Sequence, residues 1–181
     1  MSIEQNKEYY DSIYEVSEEY SKEYSESVYL EMWNELIKII PKGANLFDLG
    51  CGPGQFGHFL SKNGYDKYTG YDFSAVAINK ANELEIPDYQ FIVKDLNGSD
   101  FRETEATFLC LETFEHIQDY RLINNLGLGK EVIFTVPDFN DPAHIRYFHD
   151  VNSVVERYKN VIKFSHAQKF QRWYLCRGIT I

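Results

Sequence analysis

An aspartate followed by glycines at alternate positions is the first group of residues in this sequence that could bind a ligand. The stretch FDLGCGPGQFG contains Asp48, Gly50, Gly52 and Gly54 directly after a short apolar run. Glycines let a backbone turn sharply and approach a ligand closely, because no Cβ atom intervenes. A carboxylate beside them attracts a cationic group. The pattern therefore predicts a loop that holds the positively charged part of a small molecule.

Two classes of cofactor compete for this loop. Starting at Gly52, the sequence also contains the G-x-G-x-x-G spacing of dinucleotide-binding sites, in which backbone N–H groups hold an anionic pyrophosphate. Asp48 would repel a pyrophosphate, whereas it would attract the ammonium and sulfonium groups of S-adenosylmethionine. The aspartate therefore favours S-adenosylmethionine over a nicotinamide dinucleotide.

Two more aspartates end the next two predicted strands. Asp72 in TGYDFS is placed where a carboxylate can accept both ribose hydroxyls, and Asp95 in FIVKDL is placed to accept from an adenine amino group. Phe73 and Leu96 would be apolar neighbours of the adenine ring. One aspartate after a strand is as often a helix N-cap as a ligand contact. Three at successive strand ends favour a binding site.

A second group of residues could take part in chemistry at the ends of the fourth and fifth predicted strands. Glu112, Glu115 and His116 lie in LETFEHI, and His144 follows the fifth strand. Two carboxylates and two imidazoles can hold Mg²⁺, Mn²⁺ or a similar ion, which would lower the pKa of a bound hydroxyl. Without a metal, His116, His144 or His149 is the natural general base. Both alternatives stay open at this point.

The elements that must position these residues alternate between strands and helices. The apolar runs NLFDLG, KYTGYDF, YQFIVKDL, ATFLCLE and KEVIFTVPD predict five strands, and two later runs, VIKFSH and QRWYLCRGIT, predict a strand pair. This alternation is typical of a doubly wound α/β sheet with helices on both faces. Ligands of such sheets bind beyond the carboxyl ends of the strands.

The N-terminal part of the chain is predicted to be helical. In YSESVYLEMWNELIKII, apolar residues recur at three- and four-residue steps from Val28 to Ile40. Four tyrosines of this part could reach the cofactor or the acceptor, or pack within a helical cap: Tyr9, Tyr10, Tyr14 and Tyr24. We predict a single domain over residues 1–181, with a helical cap over residues 1–41 and a cofactor-binding core over residues 42–181.

Taken together, the motifs resemble the class I S-adenosylmethionine-dependent methyltransferases over essentially the whole chain. LFDLGCGPG is similar to the first motif of that family, GYDFS and VKDL to its second- and third-strand acids, and FLCLETFEHI and VIFTVPD to its fourth and fifth strands. The resemblance implies a Rossmann-like sheet ordered 3-2-1-4-5-7-6 with strand 7 antiparallel. The resemblance implies that Asp48, Gly50, Gly52 and Gly54 hold the methionine part, Asp72 the ribose and Asp95 the adenine region. The predicted cofactor-binding set also includes Cys51, Phe73, Leu96 and Leu111.

The Glu-x-x-Glu-His spacing with a later histidine resembles two groups within that family. One methylates the 3′ ends of small RNAs at the 2′-oxygen with a metal, and the other methylates catechols in the ubiquinone pathway. The resemblance implies a metal set of Glu112, Glu115, His116 and His144. The same Glu-His pair occurs broadly among small-molecule methyltransferases, where the glutamate caps a helix and the histidine lines the cleft.

We therefore predict a methyltransferase that methylates an oxygen of a small polar metabolite, such as a sugar or a polyhydroxylated or phenolic compound. One alternative is a metal-dependent methyltransferase of a vicinal diol such as an RNA 3′ end or a catechol. The other is a catalytically inactive subunit that binds S-adenosylmethionine or activates a partner. A homodimer is compatible with the sequence.

Composition limits the partners and the location. The formal net charge of −10 argues against nonspecific binding to nucleic acid or to an anionic membrane, and the chain lacks the Asn/Asp-Pro-Pro-Tyr pattern used on nucleobase nitrogens. No apolar run approaches the roughly 20 residues that span a bilayer, and the acidic start differs from a targeting peptide. We predict a cytoplasmic protein whose three cysteines are reduced.

Overall fold

A computed structural model of the protein describes residues 4–181. Contacts divide the described chain into two compact units, one of residues 5–96 and one of residue 4 with residues 97–181. The single-domain organisation stays a prediction. Within residues 4–181, no helix is both long enough and apolar enough to cross a membrane.

The unit of residues 5–96 contains two N-terminal helices and two strand-helix repeats that end in a third strand. Its helices are α1 (Lys7–Val16), α2 (Leu30–Leu36), α3 (Gln55–Lys62) and α4 (Ala75–Glu83). Its strands, which pair in parallel, are β1 (Leu46–Leu49), β2 (Tyr68–Asp72) and β3 (Tyr89–Val93). Ser74 is the N-cap of α4, because its hydroxyl accepts the N–H of Ala77 at 3.1 Å.

The unit of residues 97–181 supplies the rest of the sheet. Its strands are β4 (Thr107–Leu111), β5 (Glu131–Pro137), β6 (Ile162–Phe170) and β7 (Trp173–Thr180). Its helices are α5 (Asp119–Leu126) and α6 (Val151–Tyr158). The β4 and β5 strands are parallel, whereas β7 is antiparallel to both β5 and β6.

The strands form one sheet in the order β3-β2-β1-β4-β5-β7-β6. The predicted fold class, strand order and antiparallel seventh strand are therefore confirmed. All three cysteines, Cys51, Cys110 and Cys176, are free and buried, in agreement with the predicted reduced thiols.

The predicted helix through residues 24–40 is shorter in the structure. Tyr24–Glu26 forms a single 3-10 turn, and α2 begins only at Leu30. The N–H of Val28 donates to a carboxylate oxygen of Glu19 at 2.9 Å, and its side chain is 61% exposed. A side-chain carboxylate thus replaces the helical carbonyl as acceptor, and the prediction that the helix includes Val28 is wrong.

Candidate active site

The glycine-rich loop connects β1 to α3 and turns through left-handed backbone conformations. Gly50, Gly52 and Gly54 have φ angles of 90°, 52° and 80°, a region that residues with a Cβ enter only at a cost. The N–H groups of Gly50 and Cys51 both donate to the carbonyl of Tyr71, at 2.8 and 3.0 Å. The loop is therefore tied to β2, the strand that ends in Asp72.

Gly54 is required for helix packing as well as for the turn. A Cβ atom at Gly54 would lie 2.9 Å from the Cβ of Ala81 in α4 and 3.1 Å from the ring of Phe91. Gly64 shares a positive φ of 75°, but a Cβ there would meet no atom within 4 Å. Alanine substitutions at these two glycines therefore separate the cost of backbone strain from the cost of overpacking.

We expect Gly54→Ala to lower the free energy of unfolding by about 3 kcal/mol, because backbone strain and overpacking add. Gly64→Ala should cost only about 1 kcal/mol, from backbone strain alone. Urea denaturation followed by circular dichroism measures both values. Equal losses in the two variants would show that the close approach of Gly54 to Ala81 has no energetic weight.

Asp48 lies near the end of β1, where one of its carboxylate oxygens accepts a hydrogen bond from the protein and the other has no hydrogen-bond partner among the described residues. It is 1% exposed, and its Oδ2 accepts a hydrogen bond from the Tyr68 hydroxyl at 2.5 Å. No group of the described residues hydrogen-bonds to its Oδ1. Burial raises its pKa to about 7. A buried acceptor without a protein partner is costly unless a ligand or water supplies a donor.

Asp72 connects the ends of β1 and β2. Its Oδ2 accepts the N–H of Gly52 at 3.0 Å, and its Oδ1 accepts the N–H of Ser74 at 2.9 Å. Burial raises the pKa of Asp72 to about 6 against the opposing effect of these hydrogen bonds. Because each carboxylate oxygen has more than one lone pair, Asp72 can still accept further hydrogen bonds.

The remaining cofactor residues predicted in this unit follow β2 and β3. Phe73 is half-buried, and its ring centroid lies 5.3 Å from that of Tyr10 in α1. Asp95 is exposed after β3, and Leu96 is buried at the start of a 3-10 turn, Leu96–Gly98. The structure thus shows a direct hydrogen bond between two of the predicted cofactor residues, Gly52 and Asp72. Their contacts with a cofactor stay predictions.

In the unit of residues 97–181, three of the predicted metal or catalytic residues converge. One ligand atom from each of Glu115, His116 and His144 lies within 4.8 Å of the other two. Glu115 is 0% exposed, and neither of its carboxylate oxygens hydrogen-bonds to any group of the described residues. Burial, together with the nearby charge of Glu112, raises the pKa of Glu115 well above its ordinary value.

Backbone carbonyls orient the two imidazoles of this group. The Nδ1 atom of His116 lies 3.1 Å from the carbonyl oxygen of Ala143, and that of His144 lies 3.2 Å from the carbonyl oxygen of Phe139. A carbonyl only accepts, so each Nδ1 carries the proton and each Nε2 presents a lone pair. Burial, aided by His144, lowers the pKa of His116 to about 4, and burial also lowers the pKa of His144. Both rings are therefore neutral near pH 7.

Glu112 and His149 lie outside the group of Glu115, His116 and His144. Glu112 has a φ of 51°, and its carboxylate accepts hydrogen bonds from the hydroxyl of Thr135 at 2.8 Å and the indole N–H of Trp173 at 2.9 Å. Burial raises the pKa of Glu112 to about 7. His149 is exposed, with its ring edge against Tyr147. Leu111, predicted at the cofactor, ends β4 half-buried.

Arg146 is a site residue that sequence reasoning missed. Its guanidinium donates to the carbonyls of Phe114 and Ile117, the latter at 2.7 Å, and lies 3.4 Å from the carboxylate of Asp119. These contacts fix both ends of the segment that carries Glu115. In the sequence, the feature that could have indicated Arg146 is its place two residues after the predicted site residue His144, in the loop DFNDPAHIRYFHD.

The fold agrees with comparisons to known proteins. Residues 20–178 match a family model described as a methyltransferase domain. The chain belongs to this methyltransferase family. S-Adenosylmethionine is the cofactor of the methyltransferase, and solved relatives of its fold contain that cofactor or its product. No curated protein gives a significant sequence match.

Solved structures share the fold of the methyltransferase at low sequence identity. A protein from Pyrococcus horikoshii is 20% identical with a TM-score of 0.72, over 98% of this chain and 100% of its own. The N-methyltransferase NodS from Bradyrhizobium japonicum, in complex with S-adenosylhomocysteine, is 16% identical with a TM-score of 0.66, over 83% and 86%. Magnesium protoporphyrin IX methyltransferase from Synechocystis, with bound S-adenosylmethionine, is 14% identical with a TM-score of 0.66, over 99% and 99%.

Proposed function

We propose that the methyltransferase transfers the methyl group of S-adenosylmethionine to an oxygen of a small polar acceptor, such as a sugar or a polyhydroxylated or phenolic compound. The observation that carries this proposal is the convergence of the buried Glu115 carboxylate with the imidazoles of His116 and His144. A hydroxyl must lose its proton as its oxygen attacks the methyl carbon, so an O-methyltransferase needs a nearby proton acceptor. A neutral amine already has a nucleophilic lone pair.

In this reaction the new O–C bond forms as the S–C bond of the cofactor breaks, and S-adenosylhomocysteine leaves. The hydroxyl proton passes to the lone pair on Nε2 of His144, which is open because its Nδ1 donates to the Phe139 carbonyl. Asp48 would hold the ammonium group of the cofactor with its unpartnered Oδ1, and Asp72 would accept the ribose hydroxyls.

Methyl transfer from deuterium-labelled S-adenosylmethionine tests the proposal. Matched acceptors that differ in one atom, such as a sugar and its amino sugar or a phenol and its aniline, would be incubated with the protein and the products identified by mass spectrometry. We expect methylation of the hydroxyl compounds at oxygen. Methylation of the amines alone would refute O-methylation while leaving the methyltransferase activity intact.

Cofactor binding by Asp48 should depend on pH. With its pKa at about 7, Asp48 is mostly protonated at pH 6 and mostly ionised at pH 8, and only the ionised form attracts the ligand ammonium. We expect the affinity for S-adenosylhomocysteine to fall by roughly tenfold from pH 8 to pH 6. The stability of the ligand-free protein changes in the opposite direction to the affinity. A raised carboxyl pKa makes the native state less stable as pH rises from about 4 to about 7.

Calorimetric titration at several pH values measures this dependence, and Asp48→Asn is the matched variant. The amide of this variant cannot ionise, so its pH profile should be much shallower and its affinity should resemble that of the wild type at pH 6. The small change that remains would come from Asp72, whose pKa is about 6. An unchanged profile in the variant would show that another group causes the dependence, and the ammonium would then not lie at Asp48.

A second candidate function, a metal-dependent methyltransferase of a vicinal diol, is favoured by one specific observation. Both carboxylate oxygens of the fully buried Glu115 are unpartnered within the described residues. One carboxylate and two backbone-anchored imidazoles form a donor set that fits a divalent ion such as Mn²⁺, which would polarise a bound acceptor hydroxyl. Glu112, bonded to Thr135 and Trp173, would not belong to this set.

A further inference from the structure

Tyr14 in α1 lies against the glycine-rich loop with an unsatisfied hydroxyl. Its side chain is 9% exposed, and its oxygen would lie 3.4 Å from a Cβ atom placed on Gly52. No protein group within residues 4–181 hydrogen-bonds to this hydroxyl. The hydroxyl itself is not fully buried, so it is accessible to a molecule bound at the loop and can donate a hydrogen bond to it.

Polar contacts fix the position of Tyr14 over the loop. One helical turn before it, Asp11 accepts a hydrogen bond from the hydroxyl of Ser74 at 2.5 Å. The Lys80 ammonium donates to the backbone carbonyl of Tyr14 at 2.6 Å and to the hydroxyl of Ser21 at 3.0 Å. A ten-residue helix is barely stable alone, so these contacts with α4 and its N-cap determine where α1 lies.

The chain after α1 continues along the start of α3. The side-chain amide of Gln55 donates to the carbonyls of Glu19 and Lys22, at 3.0 and 2.8 Å. The N-terminal segment is therefore attached to the helices that follow both β1 and β2, on either side of the loop that contains Gly52. Tyr14 is held between these attachments.

The hydrogen bonds of the loop show which part of the cofactor needs Tyr14. The N–H groups of Gly50 and Cys51 donate to Tyr71, that of Gly52 donates to Asp72, and that of Gly54 donates to the carbonyl of Cys51 at 3.2 Å. Pro53 has no N–H group. The backbone of residues 50–54 therefore has every N–H group engaged within the protein.

The amino-acid end of S-adenosylmethionine carries an ammonium and a carboxylate. Asp48 suits the ammonium, but the carboxylate needs hydrogen-bond donors, which the engaged backbone of residues 50–54 does not supply. We propose that the Tyr14 hydroxyl donates a hydrogen bond to the carboxylate of the cofactor. The N-terminal helix is then part of the cofactor-binding site, and this role rests on the proposed place of the cofactor at the glycine-rich loop.

A pair of ligands and a pair of variants test this contact. The ligands are S-adenosylhomocysteine and its decarboxylated analogue, which keeps the ammonium but lacks the carboxylate. The variants are Tyr14→Phe and, as a control, Tyr65→Phe. Tyr65 precedes β2, at the other end of that strand from Asp72, and its hydroxyl donates to the carbonyls of Ile37 and Ile40. We expect Tyr14→Phe to weaken S-adenosylhomocysteine roughly tenfold, because hydrogen bonds to charged groups are the stronger ones. The decarboxylated analogue should bind Tyr14→Phe and wild type equally, and Tyr65→Phe should change neither ligand.

The outcomes separate this contact from the placement of the cofactor itself. Equal weakening of both ligands by Tyr14→Phe, or no weakening of either, would overturn the hydrogen bond to the carboxylate. A wild-type protein that binds neither ligand would overturn the placement of the cofactor as well. Thermal unfolding of the ligand-free variants completes the test, since a lowered melting temperature with unchanged affinities would assign Tyr14 to packing alone.

Discussion

Asp72→Ala should reduce the affinity for S-adenosylhomocysteine by more than roughly 100-fold, because two charge-assisted hydrogen bonds to ribose hydroxyls contribute about 1.5–3 kcal/mol each. The same carboxylate holds the N–H groups of Gly52 and Ser74, so its loss also frees the glycine-rich loop. Isothermal titration calorimetry measures the effect. Asp72→Asn, which keeps the shape and one acceptor, should lie between the alanine variant and the wild type.

Ser74→Ala is the matched control for Asp72. It removes the N-cap hydroxyl of α4 and the contact with Asp11, but it leaves the Asp72 carboxylate in place. We expect it to lower the free energy of unfolding by about 1 kcal/mol and to change cofactor affinity much less than Asp72→Ala does. Wild-type affinity in a folded Asp72→Ala variant would show that the ribose lies elsewhere.

The metal-dependent alternative predicts that Glu115→Gln abolishes the binding of a divalent ion to the group of Glu115, His116 and His144. The amide has nearly the shape of the carboxylate but no charge, and removing one of three ligands should cost at least roughly 100-fold in affinity for Mn²⁺. Under this alternative, wild-type protein binds one equivalent of Mn²⁺ and melts at a higher temperature with it, as binding to the native state alone requires. Calorimetry and thermal unfolding with and without Mn²⁺ measure both effects.

Glu112→Gln distinguishes a three-residue metal set from the four-residue set predicted from the sequence. The Glu112 carboxylate is bonded to Thr135 and Trp173, so its replacement should leave Mn²⁺ binding nearly unchanged. Equal losses in both variants would restore Glu112 to the metal set. A wild-type protein that binds neither Mn²⁺, Mg²⁺ nor Zn²⁺ would refute the metal site and leave His144 as the proton acceptor of a metal-free enzyme.

The sheet was predictable because local patterns agree with its global arrangement. The apolar runs matched the strands of the structure. The order of the strands came from the resemblance to a family. The helix around Val28 failed because its pattern did not reveal that Glu19 would accept the Val28 N–H.

The candidate site was predictable only where a residue lies at the carboxyl end of a strand. Asp48 and Asp72 are at such positions, whereas the partners of Glu112 depend on packing between distant segments. Trp173 reaches Glu112 because β7 pairs with β5 in a register that sets it opposite Pro137, and a slip of one residue would turn its ring to the other face. Tyr14 likewise could not be separated from the other N-terminal tyrosines, since periodicity does not show which one meets the loop.

Titration of the wild-type protein with S-adenosylhomocysteine at pH 8 tests the central claim most directly. The loop of Gly50–Gly54, with Asp48 and Asp72 beside it, should bind one equivalent of ligand, and the affinity should fall when the pH is lowered to 6. Saturable one-to-one binding with that pH dependence is the predicted result. A folded protein that gives no heat of binding at either pH would contradict the assignment of these residues to the cofactor.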